Sequence, residues 1–191
     1  SSKIELKIGK TVINDKNPVF IIAEAGSNHD GNLQQAFRLI DAAVDAGTNA
    51  VKFQIFKADK LYPKNCGKIK LNNKTLDLYG FLKQHEVDYS WIPKLKDYCD
   101  KRNIIFLSTP FDEKSSDILE ANGVLAYKIA SPELNHIPLL DYIAKKNKPM
   151  IISEGLSTIS DIELALETIK RQNNFQIAIL HCLSAYPAPA N

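Results

Sequence analysis

Cysteine is scarce and poorly spaced for a scaffold: Cys66, Cys99 and Cys182 are the three in 191 residues, and no two form a C-x-x-C pair. That argues against a disulfide framework and a structural zinc, and fits a reducing cytoplasm. No uninterrupted apolar run approaches the ~18 residues of a membrane-spanning helix, and the amino-terminal SSKIELKIGK lacks the apolar stretch of a signal peptide. Neither export nor membrane spanning is expected. Charge of one sign is lacking too: 24 basic and 22 acidic residues are interspersed for a net +2, which leaves no field suited to nucleic acid. His29, His85, His136 and His181 show no H-x-x-x-H or H-E-x-x-H spacing, so each is expected in a turn, on the surface or at a strand end. His181, beside Cys182, is the one that stays a site candidate.

What is present is enough apolar sequence, 45% of residues, for one domain with a substantial core. Six runs enriched in β-branched or aromatic residues read as buried strands: VFIIAEA (19–25), AVKFQIF (50–56), IIFLST (104–109), AYKIAS (126–131), MIISE (150–154) and IAILHC (177–182). Helical patterns lie between them. In 33–46, Leu33, Phe37, Ile40 and Val44 recur at three- and four-residue spacing, with Asn32 and Gln35 as a cap-like pair and Gly47 as the stop. Ser160 and Glu163 read as a capping box before Ile162, Leu166 and Ile169. Shorter helices are expected at about 90–101, 113–121 and 137–146, with Ser90 and Asp112 as caps.

Strand and helix in strict alternation mean βα units and a parallel sheet, either doubly wound or closed into a barrel. The turn AEAGSNHDGN has no G-x-G-x-x-G and no Walker lysine, which disfavours the nucleotide fold. The expectation is therefore an α/β protein of the (β/α)8 TIM-barrel class with about six of its eight βα units in this chain. Residues 1–191 would then be an incomplete barrel domain, since such barrels usually need about 200 residues or more. The interval between the strands starting near 50 and 104 is about twice the others. It holds an insertion over roughly 57–89, after a strand's C-terminal end, which is either a lid or substrate loop or a tolerated surface excursion.

Strand parity sends Val51, Phe53 and Ile55 outward and Ala50, Lys52 and Gln54 inward; it likewise sends Tyr127 and Ile129 outward and Ala126, Lys128 and Ala130 inward. Two lysines should therefore enter one interior. Glu24, Ser108, Thr109, Ser131, Glu133, Ser153 and Ser184 fall at or after strand ends and would make that end polar. An inward lysine beside a glutamate can be a packing device, and strand-end serines are often turn caps. Polar groups at matching ends of six strands point instead to a site for a small dianion.

The chain resembles the sialic acid synthases, a family that includes legionaminic and pseudaminic acid synthases and related spore-coat polysaccharide enzymes. The resemblance is carried by IIAEAGSNHDGNLQQAFRLIDAAVDAGTNAVKFQIFKADKL, FLSTPFD, YKIASPEL, KPMIISEGLST and LHCLSAYPAP, in family order and spacing. It implies condensation of phosphoenolpyruvate with the open-chain aldehyde of an N-acylated sugar such as N-acetylmannosamine, giving a nonulosonic acid and phosphate. Lys52, Lys128, Ser131, Ser153 and Ser184 would grip phosphoenolpyruvate. Glu24 and Glu133 would hold sugar hydroxyls or assist proton transfer; Gln54 and Asn73 would contact sugar or enolpyruvate, and Tyr186 would wall the pocket. Manganese or magnesium is expected as cofactor, with its ligands beyond residue 191 and no metal ligand in this chain. The seventh and eighth βα units and a C-terminal antifreeze-like domain are expected to be absent as well, so this chain alone should be inactive, and the full-length protein a cytoplasmic homodimer. The sequence departs from the family at Ser184, where asparagine is frequent, and at Pro132, where glycine is common; both bear on which sugar is used. Two other enzyme classes fit the same barrel: another enolpyruvate-condensing 3-deoxy-2-ketoacid synthase, and a Schiff-base aldolase using Lys128. A non-catalytic carbohydrate- or enolpyruvate-binding fragment is the third alternative.

Overall fold

The computed structural model describes residues 5–71, 74–155 and 157–183. In chain order the elements are β1 (Leu6–Ile8), β2 (Thr11–Ile13), β3 (Ile22–Gly26), α1 (Leu33–Asp45), β4 (Ala50–Gln54) and α2 (Ala58–Leu61). There follow β5 (Lys68–Leu71), β6 (Lys74–Asp77), α3 (Leu78–His85), α4 (Trp91–Lys101), β7 (Ile105–Thr109) and α5 (Glu113–Ala121). The last are β8 (Tyr127–Ile129), a 3-10 turn (Ser131–Asn135), α6 (Ile137–Ala144), β9 (Met150–Glu154), α7 (Ile159–Arg171) and β10 (Ile177–His181). All six strands read from the sequence are present, and both larger sheets are parallel. The fold is α/β.

The chain divides into two compact units, one over Phe20–Val124 and one from the residues on either side. In the first, β3, β4 and β7 form a parallel sheet in that order. Four of the five residues of β4 are buried, Gln54 being the exception, as expected for a parallel strand covered on both faces. Helix α1 starts where Asn32 accepts the Gln35 amide at 3.1 Å and ends at Gly47, whose φ of +74° suits a residue without a Cβ. Its fully buried residues are Ala36, Ile40 and Ala43, while Leu33, Phe37 and Val44 flank them half-buried. Small side chains on the innermost line let the helix approach closely. Phe37 stacks on Tyr98 of α4 at 4.5 Å.

The second unit holds the parallel sheet β10-β9-β8 and an antiparallel hairpin, β1-β2. The hairpin escaped the sequence reading. Its signal is the two-residue loop Gly9-Lys10 between alternating apolar residues. Gly9 has φ +59°, and a Cβ there would meet Leu125 Cδ1 at 2.8 Å, so glycine is required twice over.

Two expected caps are corrected. The box at the start of α7 is Thr158 with Asp161, each side chain bonded to the other's backbone N–H, and not Ser160 with Glu163. Ser90 precedes α4 in right-handed helical conformation and its hydroxyl caps nothing; its N–H donates to Asp88 instead. Asp112 does cap α5, reciprocally with Ser115.

Candidate functional site

In the unit Phe20–Val124, register places Glu24 of β3 directly beside Lys52 of β4. The Lys52 side chain is 9% exposed, and its Nζ lies 2.6 Å from Glu24 Oε2. An ammonium carries three N–H donors and one carboxylate oxygen takes one of them. The pairing slips between Glu24 and Gly26, a bulge at which Gly26 adopts φ +54°. A Cβ at Gly26 would stand 3.3 Å from Glu24 Oε1, so the glycine keeps room for the carboxylate.

The same register corrects one expectation. Lys52 pairs with Leu107 and Gln54 with Thr109, so Thr109 shares the lysine's face, whereas Ser108 pairs with Phe53 and points to the other face. Adjacent residues cannot both point inward. Ser108 Oγ is buried and finds no hydrogen-bond partner among the described residues. Gln54 is exposed at the end of β4.

In the other unit, Lys128 is 7% exposed; its Nζ donates to the Ile129 carbonyl at 3.0 Å and to Ser153 Oγ. Register explains the second bond, since Lys128 pairs with Ile151 and Ser153 is two residues further along the same face. Ser131 is half-buried at the start of the 3-10 turn. Glu133 follows in that turn, 3.4 Å from His136 Nδ1. Asn73, Ser184 and Tyr186 lie outside the described residues.

His181, already a site candidate, gains a partner in Glu154 that the sequence did not indicate, and His29 a burial that it did not indicate. Glu154 and His181 are register partners at the ends of β9 and β10, in contact through Oε1 and Nδ1. Glu154 stands on the face opposite to Ser153. His29, in the turn after β3, is fully buried: its Nδ1 accepts the Gly31 amide at 3.0 Å, its ring meets Trp91 edge-on at 5.4 Å, and its Nε2 has no partner among the described residues. Burial, and then the charge of His85, hold its pKa below the ordinary histidine value, with Asp30 opposing. The turn itself was legible from SNHDG; the burial of its histidine depends on Trp91 of α4 packing against it, a contact that no local pattern announces.

Each lysine is thus a buried cation tied to an acceptor on a neighbouring strand, an arrangement that can hold a phosphate or carboxylate oxygen. The NeuB family model matches residues 39–191. The chain belongs to the NeuB family. It is 51% identical to the spore coat polysaccharide biosynthesis protein SpsE of Bacillus subtilis, over 94% of this chain and 48% of that protein. It is 41% identical to the N,N'-diacetyllegionaminic acid synthase of Campylobacter jejuni, over 90% of this chain and 53% of the relative. Among solved structures it superposes on the N-acetylneuraminic acid synthetase of Leptospira borgpetersenii, in complex with citrate, with TM-score 0.88 and 36% identity, covering 98% of this chain and 62% of the other. The chain therefore spans about half the length of the curated relatives it matches. Among the described residues no helix is long and apolar enough to cross a membrane.

Proposed function

We propose that this NeuB-family chain serves a synthase that joins phosphoenolpyruvate to the aldehyde carbon of an N-acylated hexosamine, forming a nonulosonic acid and inorganic phosphate. The observation that carries the reading is the buried Lys128 ammonium donating to Ser153 Oγ, an anion-holding pair within a family whose named members make such sugars. The Leptospira relative was solved in complex with citrate, a small multiply anionic molecule, which supports the reading.

In this reading the Lys128 ammonium supplies counter-charge to an anionic group of phosphoenolpyruvate, with Ser131 and Ser153 as hydroxyl donors beside it, and Lys52 is proposed separately as an anion-binding residue of its own unit. The enol carbon then attacks the aldehyde carbon, whose oxygen takes a proton; water adds to the resulting cationic carbon and gives up a proton, and the tetrahedral intermediate expels phosphate as its hydroxyl loses its proton to become the keto group. Glu24, half-exposed beside Lys52, can accept a proton or a sugar hydroxyl, and Glu133 is proposed for the second such role. Gln54, Asn73, Ser184 and Tyr186 remain proposed contacts. A divalent metal, manganese or magnesium, belongs to the proposal, as do a homodimeric cytoplasmic enzyme and a (β/α)8 barrel of which this chain supplies six units. The described residues do not themselves fit a metal, since no three of their His, Cys, Asp or Glu side chains gather closely enough to hold one, and no step above passes through it.

The Schiff-base reading uses the same Lys128 Nζ, bonded to the Ile129 carbonyl and to Ser153 Oγ, as a nucleophile that forms an imine, and a trapping experiment separates the two readings. The test uses the full-length protein with phosphoenolpyruvate, N-acetylmannosamine and manganese, and reads phosphate release. Borohydride is added in parallel. Phosphate release dependent on both substrates, with no borohydride-trapped adduct, is expected; an adduct on Lys128, or no phosphate release with any N-acylated hexosamine, overturns the proposal.

A further inference from the structure

The excursion after β4 is closed at its base by one side chain. Glu86, at the C-terminal end of α3, accepts the Ala58 amide on Oε2 at 3.0 Å, across 28 positions of chain, at the point where α2 begins. Its Oε1 takes the Lys83 ammonium at 3.1 Å and faces Lys57 Nζ at 3.5 Å. The carboxylate is mostly buried, at 16% exposure. Burial pushes its pKa up, but the Ala58 amide, Lys83 and Lys57 together outweigh burial and hold it below the ordinary value. It is therefore ionised at neutral pH.

Further contacts among the described residues of the excursion tie its elements to one another. Tyr79 donates its hydroxyl proton to Asp59, and Lys83 reaches Asp59 at 3.5 Å, joining α3 to α2. The β5-β6 hairpin runs straight into α3: Leu78 N–H bonds the Gly67 carbonyl at 3.0 Å, and Asp77 caps α3 through the Gly80 amide at 2.6 Å. Lys57 lies over the Tyr89 ring at 5.3 Å, and burial, with Asp112 and Glu86, pushes the Tyr89 phenol up to about 12, so the ring beneath the cation is uncharged. On its other side α3 reaches the turn that follows Glu24, through His85 Nε2 at 3.9 Å from Asp30.

We infer that Glu86 is a positioning residue: it clasps the two ends of the 57–86 excursion, whose first residue lies three positions after Gln54 of the strand that carries Lys52, and so holds that strand end in the geometry that binds the sugar. The sugar is the substrate concerned because the anionic partner is held by strand-borne cations, whereas a hydroxyl-rich acylated sugar needs polar groups from beyond the sheet. This inference rests on the synthase reading for its substrate, and on the clasp geometry alone for its mechanical part.

The full-length protein and its Glu86→Gln variant are compared in two measurements. Trypsin cleavage at Lys64, Lys68 and Lys70 is expected to accelerate about tenfold in the variant, because the excursion opens locally more often. The KM for N-acetylmannosamine is expected to rise about tenfold while that for phosphoenolpyruvate changes less than about twofold. Lys83→Met, at a more exposed partner, is expected to give the same pattern at about threefold, and it carries the test if Glu86→Gln does not fold. Unchanged cleavage overturns the clasp whatever the kinetics. Faster cleavage with unchanged or equally shifted KM values overturns the positioning role. Faster cleavage in a protein whose wild type releases no phosphate leaves the clasp standing and removes the synthase reading instead.

Discussion

Lys52 Nζ sits 2.6 Å from Glu24 Oε2, yet the two side chains share water unequally, 9% against 52% exposed. Removing the carboxylate strands a buried cation; removing the ammonium leaves a carboxylate that water can solvate. Glu24→Gln should therefore destabilise the protein by about 2 kcal/mol, and Lys52→Met by less than about 1 kcal/mol. Urea unfolding of both variants checks the order, and a larger loss for Lys52→Met would contradict the burial asymmetry.

Lys128 and Ser153 form the second such pair, on neighbouring strands β8 and β9. Lys128→Met should weaken phosphoenolpyruvate binding at least about tenfold and leave sugar binding within about twofold, since only the dianion loses its counter-charge. Ser153→Ala should cost less, because a neutral hydroxyl contributes less than a cation. Titration calorimetry with each ligand separately decides it. Equal losses for both ligands would remove Lys128 from the anion site.

The buried His29 predicts a pH dependence of stability. Its folded-state pKa lies below the ordinary value, from burial first and His85 second, so the unfolded chain binds the proton more readily. Stability is then fully present above the unfolded pKa of about 6.5 and declines as pH falls below it, with a slope of at most about 1.4 kcal/mol per pH unit for this one proton. Protonation would also turn Nδ1 from the acceptor of the Gly31 amide into a donor. Unfolding free energies measured from pH 5 to 8 should show a flatter profile in His29→Gln. An identical slope in the variant would assign the dependence to other groups.

The start of α7 separates two readings of one segment. Thr158→Ala removes the hydroxyl that accepts the Asp161 amide at 3.2 Å, and should cost about 1 kcal/mol. Ser160→Ala, inside the helix and exposed, should stay within about 0.5 kcal/mol. Thermal unfolding of the two variants is sufficient, and the reverse order would restore the box at Ser160.

Much of this protein is written locally. The six strands, the main helices, the stop at Gly47, the cap at Asp112 and the burial of Lys52 and Lys128 all follow from patterns within a few residues, because periodicity and capping are short-range physics. The excursion after β4 was legible only as an interval, since its two helices and hairpin are short and its ends meet through one carboxylate 28 positions away. Ser108 and Thr109 were both expected at the polar end, and the pairing of β4 with β7 decided that Thr109 alone shares the face of Lys52. That Glu24 reaches Lys52 depends on β3 lying in register beside β4, that Glu154 meets His181 depends on β9 lying against β10, and that His29 is buried depends on Trp91. None of these could be read beforehand, because register and packing are set by the elements that arrive from elsewhere in the chain, and a side chain's neighbours across a sheet leave no mark on the residues beside it in sequence.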